Sequence, residues 1–103
     1  KAYQRVAGAR VVLVGGVPVL YLAPGRRAIL AFPAVADESL LAVAAEVLAS
    51  DPASLGSKGL SIERIDAEPV GDSAIARALL AAGFARGFRG LTRRSERAVV
   101  RNA

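Results

Sequence analysis

The stretch from Arg10 to Phe32, RVVLVGGVPVLYLAPGRRAILAF, constrains the fold more than any other part of the chain. Val11 to Val14, Val17 to Leu22 and Ala28 to Phe32 are short, apolar and rich in β-branched residues, the composition of strands. Each gap between them holds a pair suited to reversing the chain. Gly15-Gly16 can take positive φ at both central positions of a primed hairpin turn, and Pro24-Gly25 fits the two central positions of a type II turn. Two tight turns in succession specify a three-stranded antiparallel meander. The first two strands are apolar at successive positions, which predicts burial on both faces.

The core must be aliphatic, because 53% of the chain is hydrophobic while aromatic residues make up only 5%. A chain of 103 residues makes one domain, with a single modest core. It has no Cys and no His, which removes thiol catalysis, disulfides, imidazole acid-base chemistry and Cys or His metal sites together. The longest apolar run, Val11 to Ala23, is too short for a spanning helix and is interrupted by Gly-Gly and Pro; with no leader pattern before it, the expected location is the cytoplasm. A start at Lys1 and the absence of Met are those expected of a piece from the end of a longer polypeptide, or equally of a processed N-terminus.

Charge is distributed unevenly. Residues 1–83 carry eight basic and eight acidic groups, so the whole net charge of +5 lies beyond Gly83. There Arg86, Arg89, Arg93, Arg94, Arg97 and Arg101 face a single acid, Glu96. A one-sided block of this kind is the footprint of a phosphate-contacting end. The competing reading is a solvated tail whose Arg content reflects an Arg-rich genome. Arg26 and Arg27, just after the second turn, read as solvated turn charges, with a phosphate contact as the alternative reading.

Beyond Pro33 the apolar period changes from two to about 3.6. Leu40, Leu41, Ala44, Val47 and Leu48 form one stripe, with Glu38, Ser39, Ala42, Glu46 and Ala49 elsewhere. This predicts an amphipathic helix opened by Asp37 or Ala36 and closed at Ser50-Asp51-Pro52. The polar loop Asp51 to Gly59 is expected to be the most mobile internal segment. Leu60 to Ile65 reads as a fourth strand and Asp66 to Pro69 as a turn. A second helix follows, capped by Asp72 or Ser73, with Ile75, Leu79 and Ala82 on one face and Gly83 as its left-handed C′ residue. Phe88 to Arg93 alternates as a fifth, basic-edged strand, and residues 95–103 have no assignment beyond a disordered tail.

The predicted fold is therefore α+β: a mostly antiparallel, curled or barrel-like sheet of about five strands in the order β-β-β-α-β-α-β, with two helices. Val12, Val14, Val19, Tyr21, Ile29, Leu40, Ala44, Val47, Ile62, Ile65, Ile75, Leu79 and Phe84 are the expected buried residues.

Three phrases, GARVVLVGGVPVLYLAPGRRAILAF, LSIERIDAEPV and LLAAGFARGFRGLTRR, resemble in their order and separation the extreme C-terminal region of the long bacterial Lhr (large helicase-related) proteins. The likeness covers about Ala7 to Arg94. It implies a parent that is a superfamily 2, ATP-dependent DNA helicase of 3′ to 5′ polarity involved in DNA repair. The long C-terminal region of that family resembles winged-helix modules flanked by a β-barrel, and this chain would supply the barrel part. DNA and the upstream winged-helix domains are the implied partners, homo-oligomers are compatible with it, and no membrane is involved.

ATP and Mg would belong to the parent's motor, since no G-x-x-x-x-G-K-[ST] loop occurs here and the Gly-rich turns connect strands instead of opening helices. No cofactor, metal or catalytic residue is assigned to this chain. Some members of the family are associated with uracil-DNA glycosylase activity, for which Glu63, Asp66 and Glu68 are candidates by residue type alone. Two functions stay open: a nucleic-acid-facing accessory domain using the six C-terminal arginines, or a structural or oligomerisation module whose second sheet face packs on neighbouring winged-helix domains.

Overall fold

The computed structural model describes residues 9–25, 27–51, 55, 59–88 and 90–94. The meander forms as the sequence predicts: β1 (Arg10–Val14), β2 (Val17–Leu22) and β3 (Ala28–Ala31) pair antiparallel in order. Gly15 and Gly16 take φ of +58° and +84° between the paired residues Val14 and Val17, and Gly25 takes +90° in the second turn. A bulge at Val12/Leu13 shifts the β1–β2 register.

A 3₁₀ turn (Pro33–Ala36) follows β3 and leads into α1 (Glu38–Ser50). Asp37 caps α1, its Oδ1 accepting from the Ser39 and Leu40 amides at 2.9 and 3.3 Å. That bond satisfies two of the amides a helix start leaves without intrahelical partners. The buried stripe of α1 is Leu41, Ala44, Ala45, Leu48 and Ala49, rotated from the expected one. Val47 is 42% exposed and Ala49 is buried, the reverse of the prediction. Leu40 and Val14 are half-buried and only flank the core. The helix is apolar almost all round, so period alone leaves its orientation open. Small residues decide it, because Ala44, Ala45 and Ala49 let α1 approach the sheet and the second helix closely.

The predicted fourth strand is two strands. β4 (Leu60–Ile62) pairs antiparallel with β8 (Leu91–Arg93), whereas β5 (Arg64–Ile65) pairs parallel with β3. The chain changes sheets at Glu63, and among the described residues the eight short strands fall into two sheets, β1-β2-β3-β5-β6 and β4-β8-β7. β6 (Glu68–Pro69) and β7 (Ala85–Arg86) are additions to the predicted set. Of the expected basic strand Phe88 to Arg93, only Leu91–Arg93 forms strand β8, and it is the central strand of the smaller sheet. Among the described residues neither sheet closes into a barrel.

Asp66 and Ala67 form the two-residue turn between β5 and β6, with φ of +53° and +70°. The Asp66 amide donates to the Ile29 carbonyl at 2.8 Å, and its Oδ1 accepts from the Ala31 amide at 2.9 Å. The carboxylate thus extends the β3–β5 ladder one step past the end of β5. The second helix, α2 (Ala74–Ala81), is capped by Ser73 Oγ, which accepts from the Ala76 amide at 3.1 Å. At its other end the Phe84 amide reaches the Leu79 carbonyl and the Gly83 amide the Leu80 carbonyl, with Gly83 at φ +117°. This is the Schellman arrangement, and it turns Phe84 into the core.

The core joins β2, β3, α1, α2, β4 and β8 through Leu20, Leu22, Ile29, Leu48, Ile62, Leu79 and Leu91, all fully buried. Val19 to Leu22 is buried at four successive positions, as its unbroken apolar run predicts. β1 behaves differently: Val12 points inward while Val11 and Leu13 are 41% and 55% exposed. Among the described residues no helix is long and apolar enough to cross a membrane. The loop expected to be most mobile lies mostly outside the described residues; within it, Leu55 is buried and its amide donates to the Asp51 carbonyl at 2.9 Å.

Candidate functional site

Two distant segments meet at an open cleft of about 470 Å³. One wall is the β2–β3 turn, with Gly25 and Arg27; the other is the β4/β8 pair, with Ser61, Thr92, Arg93 and Arg94. Gly59 enters β4 at φ +89°, and a Cβ there would run into the Arg93 carbonyl. The backbones on this side therefore approach more closely than any other residue would permit.

The side chains around the cleft differ in what they are free to bind. Arg27 is 71% exposed and only loosely paired, its Nε lying 3.9 Å from Glu63 Oε2. Arg94 is exposed and, among the described residues, has no ion-pair partner. Arg93 lines the cleft, but its guanidinium serves the fold. Its Nε donates to the Ala49 carbonyl at 3.0 Å, one of the last carbonyls of α1, and its Nη1 lies against Gly83. A cation at a helix C-terminus both fills an orphan acceptor and complements the helix dipole.

Of the six predicted arginines, Arg93 and Arg94 reach the cleft. Arg86 lies elsewhere: its Nη1 donates to the Gly71 carbonyl at 3.0 Å, and its Nη2 is 3.7 Å from Asp72, which Arg77 approaches equally. Arg89, Arg97 and Arg101 fall outside the described residues. Arg27, read from the sequence as a solvated turn charge, belongs with the basic end because the meander turn folds beside β8. No local pattern signals that proximity; the only hint is the basic pair following Pro24-Gly25.

The carboxylates do not converge. Glu63 faces Arg27, Asp66 is bonded to the β3 backbone, and Glu68 is exposed on β6. Among the described residues no group of three or more acidic, His or Cys side chains could hold a metal ion. The arrangement can do one thing well: two exposed guanidiniums, with Ser61 and Thr92 lining the same cleft, can take up an anion such as a phosphate. No protein-family model, curated protein or solved structure matches the chain.

Proposed function

We propose that this chain is the C-terminal accessory domain of an Lhr-like ATP-dependent 3′ to 5′ DNA helicase acting in DNA repair, and that it holds nucleic acid by its phosphates without reading sequence. The observation that carries the phosphate-binding part is the cleft, where Arg27 and Arg94 stand exposed beside Ser61 and Thr92. The parentage rests on the resemblance of the three sequence phrases. In that setting the domain is cytoplasmic and is the barrel part of the C-terminal region. The sheet switch at Glu63 is the kind of corner by which sheets curl, and ATP and Mg act only in the distant motor.

The experiment is a salt titration of DNA binding by the chain. Each phosphate neutralised contributes a slope of about −0.9 in log K against log salt on duplex DNA. Arg27→Gln with Arg94→Gln should flatten the slope by nearly two units, while stability changes by less than about 0.5 kcal/mol. Arg93→Gln is the contrasting variant, because it removes the bond to Ala49 and should lower stability by about 1 kcal/mol. An unchanged slope in the double variant refutes the assignment.

A second reading is favoured by a separate observation. Val11, Leu13 and Val17 are 41%, 55% and 41% exposed at the β1 edge of the larger sheet. A packing module would cover them with an upstream domain or a second copy, and Leu13→Gln would then weaken that association without touching the DNA salt slope.

A further inference from the structure

Phe88 is 98% exposed, the most exposed large apolar side chain among the described residues. The sequence reading places it inside a strand, but the structure puts it at the tip of the β7–β8 hairpin. The Gly87 amide donates to the Gly90 carbonyl at 2.6 Å, which closes the turn that carries Phe88. The root of this hairpin is fixed. A Cβ at Gly90 would collide with the Ile62 carbonyl, so β8 lies hard against β4, and Leu91 beside it is fully buried. A collapsing loop would bury its phenyl ring; this one is held away from the body on a short, clamped stem.

The surroundings of the ring state what it would meet. From Ser73 to Ser95 the chain has five arginines and no acidic residue. Arg86 stands at the base of the hairpin, and the exposed Arg94 lies at the far end of β8. Gly90 and Arg94 are four residue steps apart across the three residues of β8, about 13 Å at roughly 3.3 Å per step. Arg77 and Arg86 are engaged by Asp72 and Arg93 by the Ala49 carbonyl, so among the described residues the cations that face a ligand here are Arg94 and, across the cleft, Arg27. An aromatic face with exposed cations within a few nucleotides' reach is the combination by which proteins hold single strands, with bases stacking on the ring and phosphates meeting the charges.

We propose that Phe88 is a stacking platform for an unpaired base of single-stranded nucleic acid whose backbone runs along β8 to the Arg27–Arg94 cleft. The inference rests on the phosphate-binding reading above and adds to it a preference for single strands. Stacking is tolerant of base identity, so the platform is compatible with binding that reads no sequence. A base held in a duplex is already stacked on its neighbours and has no free face to offer.

The test uses the 103-residue chain and a labelled oligodeoxythymidylate of roughly 16 nucleotides, the upper end of single-strand site sizes, alongside a duplex of mixed sequence. Phe88→Ala should weaken single-strand binding by about tenfold or more, leave duplex binding unchanged, and keep the salt slope. Because the chain contains no Trp, Phe88→Trp introduces a single reporter that should retain affinity and be quenched when a base stacks on it. If Phe88→Ala changes single-strand affinity by less than about twofold while the Arg27/Arg94 variant still flattens the salt slope, the stacking role is refuted and phosphate binding survives. If neither nucleic acid binds in a salt-dependent way, both fall. Loss of binding to anionic phosphatidylserine vesicles on Phe88→Ala, with oligonucleotide affinity intact, would overturn the proposal in favour of a membrane.

Discussion

Replacing Asp66 with Ala should destabilise the fold by about 2–3 kcal/mol, and the amount follows from two features of the site. The carboxylate accepts the Ala31 amide at 2.9 Å in a part-buried position, and a hydrogen bond to a charged group contributes about 1.5–3 kcal/mol. Asp66 also sits at φ +53°, a region where Asp is tolerated through local hydrogen bonding and Ala is disfavoured by several tenths of a kcal/mol or more. Asp66→Asn keeps both an acceptor oxygen and the tolerance of positive φ, so its cost should stay below about 1 kcal/mol. Urea unfolding followed by circular dichroism reads the difference. With a slope of about 1–1.5 kcal/mol/M for a chain of this size, the Ala variant should lose roughly 2 M in midpoint, equivalent to about 10–20 °C in Tm. Equal losses for Ala and Asn, or a loss below about 0.5 kcal/mol for Ala, would refute the view that this side chain extends the β3–β5 ladder.

Ala67→Gly should stabilise the protein by about 0.5–1 kcal/mol in the same assay, since Ala67 holds φ +70° in a primed turn for which Asp-Gly is preferred. Gly90→Ala should cost about 2 kcal/mol or more by forcing β8 away from the Ile62 carbonyl, and a thermal melt showing no loss would contradict the close β4–β8 approach.

Much of the local structure was legible because its causes span only a few residues. Gly15-Gly16, Pro24-Gly25, the Asp37 and Ser73 caps and the Gly83-Phe84 helix end each satisfy backbone groups within about five positions. The run Val19 to Leu22 likewise announces burial on both faces by having no polar position at all. Sequence period was a weaker guide where the pattern was degenerate. In α1 nearly every position is apolar, so the face toward the core was set by which small residues fit against the sheet and α2, and Val47 turned outward in favour of Ala49.

Chain-distant pairings were beyond any local rule. The strand from Leu60 to Ile65 reads as one unit, yet its halves join different sheets because β8 captures the first and β3 the second. The same long-range pairing brings Arg27 beside Arg94, turns Arg93 inward onto the end of α1, and lifts Phe88 out on a hairpin tip. The amino-acid order determined the turns, the caps, the aliphatic core and the basic end. Only the tertiary structure decided which of those charges remain free and where they gather, because that depends on contacts between segments whose separation along the chain exceeds the reach of backbone hydrogen bonding and side-chain period.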